Sequence, residues 1–150
     1  MTPEQRALRD ALAAIPGRLA TIAAGFAETL ADPNAPPAPG EWSAREVVLH
    51  LAAVEPEVWQ ARLDALATEA VPSWSWVEPG LWDGPGTATF GGALAAFSTF
   101  RAGTIARLDA LDDAGWARRG RHATYGELDV AGLMRIALGH DEDHLVQIQG

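Results

Sequence analysis

The chain has 150 residues, of which 48% are hydrophobic and 21% charged. These values predict one folded domain over residues 1–150 and exclude a disordered or fibrous protein. The net charge of -9 disfavours nucleic-acid binding, and the absence of cysteine excludes disulfides, a cysteine nucleophile and thiolate metal ligands.

The first predicted helix carries an apolar stripe from Leu8 to Leu30, whose members are three or four residues apart. This spacing places them on one helical face. Pro16 falls inside the stripe and is expected to kink the helix or split it in two, because proline removes a backbone hydrogen bond. The proline-rich segment 32–40 cannot continue a helix and forms a connector.

The second predicted helix begins at a capping box, Ser43-Ala-Arg-Glu46, in which the two end side chains satisfy free backbone N–H groups reciprocally. Pro56 is expected to bend this helix, which the pattern carries to about Ala70. Its inner face is predicted to comprise Val47, His50, Leu51, Val54 and Val58.

A Gly/Pro-rich loop covers residues 71–88 and contains Trp74, Trp76 and Trp82. Loops of this length inside a domain are commonly functional or mobile. Three tryptophans disfavour mobility, because each buries a large apolar area when it packs. A hydrophobic plug or dimer contact is the preferred interpretation, and a wall or lid over a functional site is the alternative.

The third helix is predicted from about Phe90 to Leu111, with Arg101 close to its apolar stripe. An irregular stretch, 112–126, follows and is marked by glycines. The fourth helix is predicted to begin near Asp129, a good N-cap residue. Its inner face is predicted to comprise Leu133, Ile136, His140, His144 and Ile148.

These elements predict an all-α protein, an up-down four-helix bundle, since the pattern contains no recognisable strand or internal repeat. No run of about 18 or more apolar residues is present to span a membrane. The first residues are rich in charge and do not resemble a signal peptide. We therefore expect a cytoplasmic protein that binds neither membranes nor nucleic acid.

Three of the four histidines occupy positions where an amphipathic helix buries apolar side chains, namely His50, His140 and His144. The last two are one helical turn apart and share one side of the fourth helix. A divalent metal binds neutral imidazole nitrogens, and three protein ligands leave a coordination position for water or substrate. The pattern therefore predicts a three-histidine metal site, with three core histidines as the alternative.

The segment His140-Asp-Glu-Asp-His144 differs from the zinc-protease box, which requires Glu directly after the first histidine. Asp141 holds that place, so a zinc protease is not expected. Asp141 and Asp143 are interpreted as solvated charges or as partners that orient an imidazole. Gln147, one turn beyond His144, is expected to be a buried hydrogen-bonding residue.

Other residues are candidates for a role at this site. Arg101 can pair with a substrate carboxylate through its planar guanidinium, although a structural ion pair is the preferred interpretation. Glu55 can hydrogen-bond a ligand histidine or act as a base, but a helix-surface carboxylate needs no function. His122 can carry a proton, although a loop histidine is more often simply exposed. Tyr125, the one tyrosine, can donate a hydrogen bond at the rim of the site.

Two sequence blocks carry a family resemblance. The first comprises Trp42-Ser43, Glu46-Val-Val-Leu-His50-Leu and Glu55. The second comprises Gly126-Glu-Leu-Asp and Gly139-His140-Asp141-Glu-Asp-His144-Leu-Val-Gln147-Ile. In order and spacing they resemble the DinB-like family, which includes metal-dependent mycothiol and bacillithiol S-transferases. The resemblance implies a four-helix bundle, a homodimer, and a divalent metal held by His50, His140 and His144.

The resemblance also favours one function, a transferase that activates a low-molecular-weight thiol for attack on a small electrophile. A metal-bound thiol is held as the thiolate, which is the nucleophile. The alternatives are a metal-dependent hydrolase and a non-catalytic helical dimer that binds a metal or small ligand. Because imidazole suits zinc, nickel, iron and copper, the metal stays open, with zinc or nickel as the first expectation and iron as a third candidate.

Overall fold

The structure is a computed structural model that describes residues 1–149. None of the helices in this range is long and apolar enough to cross a membrane. The elements, in chain order, are α1 (Pro3–Thr29), α2 (Ala44–Val54), a π-helical segment (Glu55–Gln60), α3 (Ala61–Thr68), β1 (Ser73–Trp74), α4 (Phe90–Asp109), α5 (Asp113–Trp116), β2 (Arg119–His122), β3 (Gly126–Asp129) and α6 (Val130–Gln149).

Two predicted helix starts are explained by side-chain caps. The Ser43 hydroxyl accepts a hydrogen bond from the Glu46 backbone N–H, and the Glu46 side chain accepts one from the Ser43 backbone N–H. Asp129 Oδ1 accepts from the Gly132 backbone N–H at 2.7 Å. Each contact satisfies a donor that the first turn of a helix leaves free. Both predicted starts are therefore confirmed.

The two prolines within predicted helices behave differently. Pro16 lies inside α1, which is one helix from Pro3 to Thr29, so the expected split is wrong. Pro56 lies in the π-helical segment Glu55–Gln60, between α2 and α3. Proline removes one backbone donor, and π-helical turns accommodate such an interruption and are frequent at functional sites. The expected bend at Pro56 stays a prediction, and the structure shows a π-helical interruption of the helix at that position.

The core lies between the four long helical segments. Ile15, Leu51, Phe97 and Leu133, one from each segment, are almost completely buried, and burial of such a side chain stabilises the fold by about 1.5–3 kcal/mol. The predicted apolar faces are confirmed except at the end of α1. There Leu30 is 91% exposed, because it is the left-handed C-cap residue, with φ 56°, and no longer follows the helical face.

The packing order of the bundle is set by long-range pairs. Helix α1 packs against α4 and α6, and α2 packs against the same two helices. Glu55 pairs with Arg101, and Asp64 pairs with Arg107, so residue numbers rise together and the α2–α3 segment runs parallel to α4. An all-α four-helix bundle is confirmed. Its up-down order is corrected, because the long segment 69–89 returns the chain to the same end of the bundle.

A small three-stranded sheet lies beside the bundle and was not predicted. Strand β1 pairs with β2 in parallel, and β2 pairs with β3 in an antiparallel ladder. The expectation that the chain contains no strand is wrong, as is that of a wholly irregular stretch over 112–126. Strands of two to four residues are too short to show the alternation by which strands are recognised. The sheet brings His122 next to Trp74.

Candidate metal centre

His50 on α2 comes together with His140 and His144 on α6. One ring nitrogen from each lies within 4.8 Å of the other two. The ring centroids are 5.5 Å apart for His50 and His140, 5.1 Å for His50 and His144, and 4.6 Å for the α6 pair. Three imidazoles grouped in this way form a donor set suited to one divalent ion. The structure thus brings together the three residues predicted as ligands.

Hydrogen bonds determine the tautomer of two of these histidines. His50 Nδ1 lies 3.0 Å from the Pro79 carbonyl oxygen, and His144 Nδ1 lies 2.8 Å from Gln147 Oε1. Because carbonyl oxygens only accept, each Nδ1 carries the hydrogen and donates it. Each Nε2 is then left with a free lone pair, the form in which histidine binds a metal. Gln147 is exposed, so the expectation that it is buried is wrong, although its hydrogen-bonding role holds.

His140 differs from the other two histidines in its hydrogen bonding. Its Nδ1 is buried and has no hydrogen-bond partner among residues 1–149, which is rare for a buried polar atom. Burial, together with the neighbouring His144, His50 and Arg101, lowers the pKa of His140 to about 4. Burial likewise lowers the pKa of His144. Both rings are therefore neutral at physiological pH, as metal ligands must be.

Glu55 and Arg101, two candidate catalytic residues, lie in a buried ionic cluster. Glu55 is completely buried, with its side chain 1% exposed, so its description as a helix-surface carboxylate is wrong. Arg101 Nε donates to Glu55 Oε1 at 2.7 Å, and Nη2 donates to Asp141 Oδ2 at 2.8 Å. Arg101 is thus placed in the structural ion pair that was the preferred interpretation. Asp141 is also buried, which corrects its interpretation as a solvated charge.

The charges of this cluster affect one another strongly. Burial raises the pKa of Asp141 to about 7, and the nearby Arg101 charge opposes that rise. Burial works against the charged form of Arg101, but the carboxylates of Asp141 and Glu55 outweigh it and raise its pKa. The sequence pattern did not indicate this cluster, apart from the position of Arg101 near an apolar stripe.

A cavity of about 360 Å³ opens beside the histidines, and His50 and His140 form part of its wall. This volume suits a small organic molecule. Its apolar lining includes the side chains of Val54, Val58, Trp59, Trp76 and Ile136.

The tryptophan loop contributes to this cavity unequally. Trp76 is 59% exposed and lines the cavity together with Val77 and Pro79. Trp82 packs edge-on against Phe100 at 5.4 Å between ring centroids, and Trp74 packs against the core. The wall interpretation therefore fits Trp76, whereas the plug interpretation fits Trp74 and Trp82.

His122 is in strand β2 and lines the same cavity. It is only 3% exposed, so the expectation of an exposed loop histidine is wrong. Its Nδ1 accepts hydrogen bonds from the backbone N–H groups of Thr124 at 3.0 Å and Tyr125 at 3.3 Å. Burial and the charge of Arg62 lower its pKa. The Tyr125 side chain lies at the exposed rim of the cavity, where it was expected.

Arg62 on α3 is a cavity residue that the sequence analysis missed. It is 7% exposed, and its Nη2 donates to the Ser75 carbonyl oxygen at 3.1 Å. The available signal was its spacing, since it lies four residues after Val58 and four before Leu66, both of which are buried. The same argument, an arginine on an inner helical stripe, was applied to Arg101 and holds equally for Arg62.

The comparisons with known proteins agree with this fold. A family model described as the DinB superfamily matches residues 6–148. The chain belongs to the DinB superfamily. One DinB-like solved structure, described as "YfiT from Bacillus subtilis is a probable metal-dependent hydrolase with an unusual four-helix bundle topology", aligns with a TM-score of 0.75 at 20% identity, over 99% of this chain and 86% of that one. At this identity the likeness shows the fold. Comparison with curated proteins found no significant match.

Proposed function

We propose that this DinB-superfamily protein is a metal-dependent transferase that joins a low-molecular-weight thiol to a small electrophile. The observation that carries metal-dependent chemistry is that His50 and His140 belong both to the three-histidine cluster and to the wall of an apolar cavity. A small molecule in that cavity would lie directly beside the candidate metal ligands. The choice of a thiol rests on the resemblance to the mycothiol and bacillithiol transferases.

The chain's own residues would hold and orient the ion. His50, His140 and His144 would bind it, and the Pro79 carbonyl and Gln147 side chain keep two of the rings in the required tautomer. A divalent ion bound there would lower the pKa of a thiol and hold it as the nucleophilic thiolate. The apolar walls would exclude water from the reacting groups. The absence of cysteine in the chain means that the thiol has to arrive as a cosubstrate.

A metal-dependent hydrolase is the second candidate, and the description of YfiT favours it. In that case the same three histidines would hold the ion, and water would take the place of the thiol. Both candidates require the metal site and differ only in the nucleophile. A third possibility, a helical dimer that binds metal without turnover, needs the site but no reaction. The homodimer itself stays a prediction, which analytical ultracentrifugation tests.

The first experiment measures metal content by elemental analysis of the wild type and of the variants His50→Ala and His144→Ala. We expect near-stoichiometric zinc or nickel in the wild type and its loss in both variants, with helical circular dichroism retained. Glu142→Gln is the matched control, because Glu142 is on the same helix but exposed and pairs with Arg18. A wild type that binds no metal after incubation with zinc or nickel would contradict the proposal.

Turnover then separates the candidates. Consumption of monochlorobimane by the metal-loaded protein is followed with cysteine, glutathione, bacillithiol or mycothiol, and hydrolysis of p-nitrophenyl acetate is followed without thiol. Transfer that needs both metal and thiol supports the transferase. Metal-dependent ester hydrolysis alone supports the hydrolase, and stoichiometric metal without either reaction supports a binding protein.

A further inference from the structure

Arg62 is a buried cation in the cavity wall without a counter-charge. No carboxylate among residues 1–149 lies within ion-pair distance of its guanidinium. Its one hydrogen bond to the protein runs from Nη2 to the Ser75 carbonyl, whereas a guanidinium offers five N–H donors. A buried charge with unused donors is unfavourable, and the cavity is the side from which a partner can reach it.

Two tryptophans hold the guanidinium without using its N–H groups. The Arg62 Cζ atom lies 5.8 Å from the Trp59 ring centroid and 5.7 Å from that of Trp74. Such cation–π contacts offset part of the cost of burial. Burial lowers the pKa of Arg62, yet arginine stays protonated at neutral pH. The contacts therefore stabilise a charged group whose N–H donors, apart from the one bonded to Ser75, have no partner among residues 1–149.

His122, which lines the same cavity, has a second unused donor. Because Nδ1 accepts from two backbone N–H groups, the hydrogen of the neutral ring must be on Nε2. That Nε2 is buried and has no hydrogen-bond partner in the described part of the chain. His122 pairs in register with Trp74 of β1, and Trp74 contacts Arg62. The sheet thus brings His122 beside Trp74, the residue that Arg62 contacts, and both His122 and Arg62 line the cavity.

We propose that Arg62 and His122 form a subsite that binds the carboxylate of a small organic acid, whose apolar body lies against Val54, Val58 and Ile136. The planar guanidinium matches the two oxygens of a carboxylate, and the imidazole N–H supplies a further donor. One full positive charge suits a monoanion. A phosphate dianion fits less well, because Glu78 and Asp143 also line this cavity. The role of the acid as a substrate rests on the proposed function, but its binding does not.

The test compares acids with their uncharged amides of the same shape. Benzoate, phenylacetate and hydrocinnamate, and their three carboxamides, are titrated against the full chain by isothermal calorimetry, once metal-loaded and once after chelator treatment. We expect at least one acid to bind about tenfold or more tightly than its amide, since a charge-assisted hydrogen bond is stronger than a neutral one. The preference is expected to persist without metal, so failure of the metal site leaves this result interpretable.

Variants assign the preference to the two residues. Arg62→Gln is expected to abolish it, Arg62→Lys to retain part of it, and His122→Phe to weaken it several-fold. Arg118→Gln is the matched control, because Arg118 also donates to one backbone carbonyl, that of Glu69, but does not line the cavity. Circular dichroism monitors folding of each variant.

Several results would contradict the proposed subsite. The proposal is wrong if no acid binds more tightly than its amide, a comparison made on the wild type that depends on no variant. It is also wrong if folded Arg62→Gln keeps the preference, or if phenyl phosphate binds more tightly than every acid. Loss of metal content together with an intact acid preference would contradict the proposed function and leave the carboxylate subsite standing.

Discussion

Arg101 on α4 donates from Nη2 to Asp141 Oδ2 on α6 at 2.8 Å, one residue after the candidate ligand His140. The same guanidinium donates to Glu55, five residues after His50, and its Nη1 donates to the Leu12 carbonyl oxygen on α1 at 2.9 Å. One side chain thus joins all four long helical segments.

Replacement of Arg101 by methionine is expected to destabilise the fold. The change leaves Glu55 and Asp141 buried without their cation, and breaking a buried pair in this way costs about 3–5 kcal/mol. The free energy of unfolding from urea denaturation measures the loss. Arg107→Met is the matched control, since Arg107 on the same helix forms a half-exposed pair with Asp64, which is worth about 1 kcal/mol or less. Equal losses in the two variants would contradict the role of the buried cluster.

Gln147→Ala is expected to weaken metal binding without unfolding the protein. Gln147 is exposed and its Oε1 accepts from His144 Nδ1 at 2.8 Å, and loss of such a partner lowers metal affinity by about 10–100-fold. Competition with a zinc-binding dye measures the affinity. Gln149→Ala, an exposed glutamine at the end of the same helix, serves as the control and is expected to keep wild-type affinity. An unchanged affinity in Gln147→Ala would show that this hydrogen bond does not orient His144.

Gly120→Ala is expected to disturb the wall of the cavity. A Cβ at Gly120 would lie 2.4 Å from the Trp74 ring, so Trp74, which contacts Arg62, has to move. Overpacking of this kind costs about 1–3 kcal/mol, which thermal unfolding detects. In Gly17→Ala, by contrast, the added Cβ meets no atom within 4 Å, and a helix-interior alanine is expected to stabilise α1 by about 0.5–1 kcal/mol. Equal stability of the two variants would contradict the close packing at Gly120.

The pair between Arg9 and Asp109 gives a pH-dependent contribution to stability. The hydrogen bonds that Arg9 donates to Asp109 lower the pKa of Asp109 below its ordinary value of 3.8. A carboxylate whose pKa is lower in the folded state stabilises the fold above its unfolded pKa, and the contribution disappears as pH falls through the folded value. Because the pair is half-exposed, we expect Asp109→Asn to lose about 1 kcal/mol or less at pH 7.

Urea denaturation of wild type and Asp109→Asn, repeated from neutral to strongly acidic pH, measures this contribution. The difference between them is expected to vanish at acid pH. Glu57→Gln is the control, because Glu57 is exposed and forms no ion pair with another residue in 1–149. A difference that stays constant with pH would assign the effect of the substitution to something other than the carboxylate charge.

The sequence by itself determined the four long helical segments, two of their N-terminal caps and the inner-face positions of the three histidines. Helical periodicity places His50, His140 and His144 on inner faces, and the caps at Ser43 and Asp129 are local contacts within four residues. Such features depend on neighbours along the chain, so they can be read without knowing which helices pack together. For the same reason the three candidate metal ligands can be predicted without knowledge of the cavity beside them.

Only the tertiary structure decided the direction of the helices and the partners of the buried charges. Periodicity shows which face of a helix is buried but not which helix covers it, so the parallel α2 and α4 could not be predicted. Arg101 meets Glu55 and Asp141 across 46 and 40 residues of sequence. Arg62 and His122 line one cavity, next to which β1, a part of the tryptophan loop, pairs with β2. These contacts depend on packing between distant segments, which no local pattern contains.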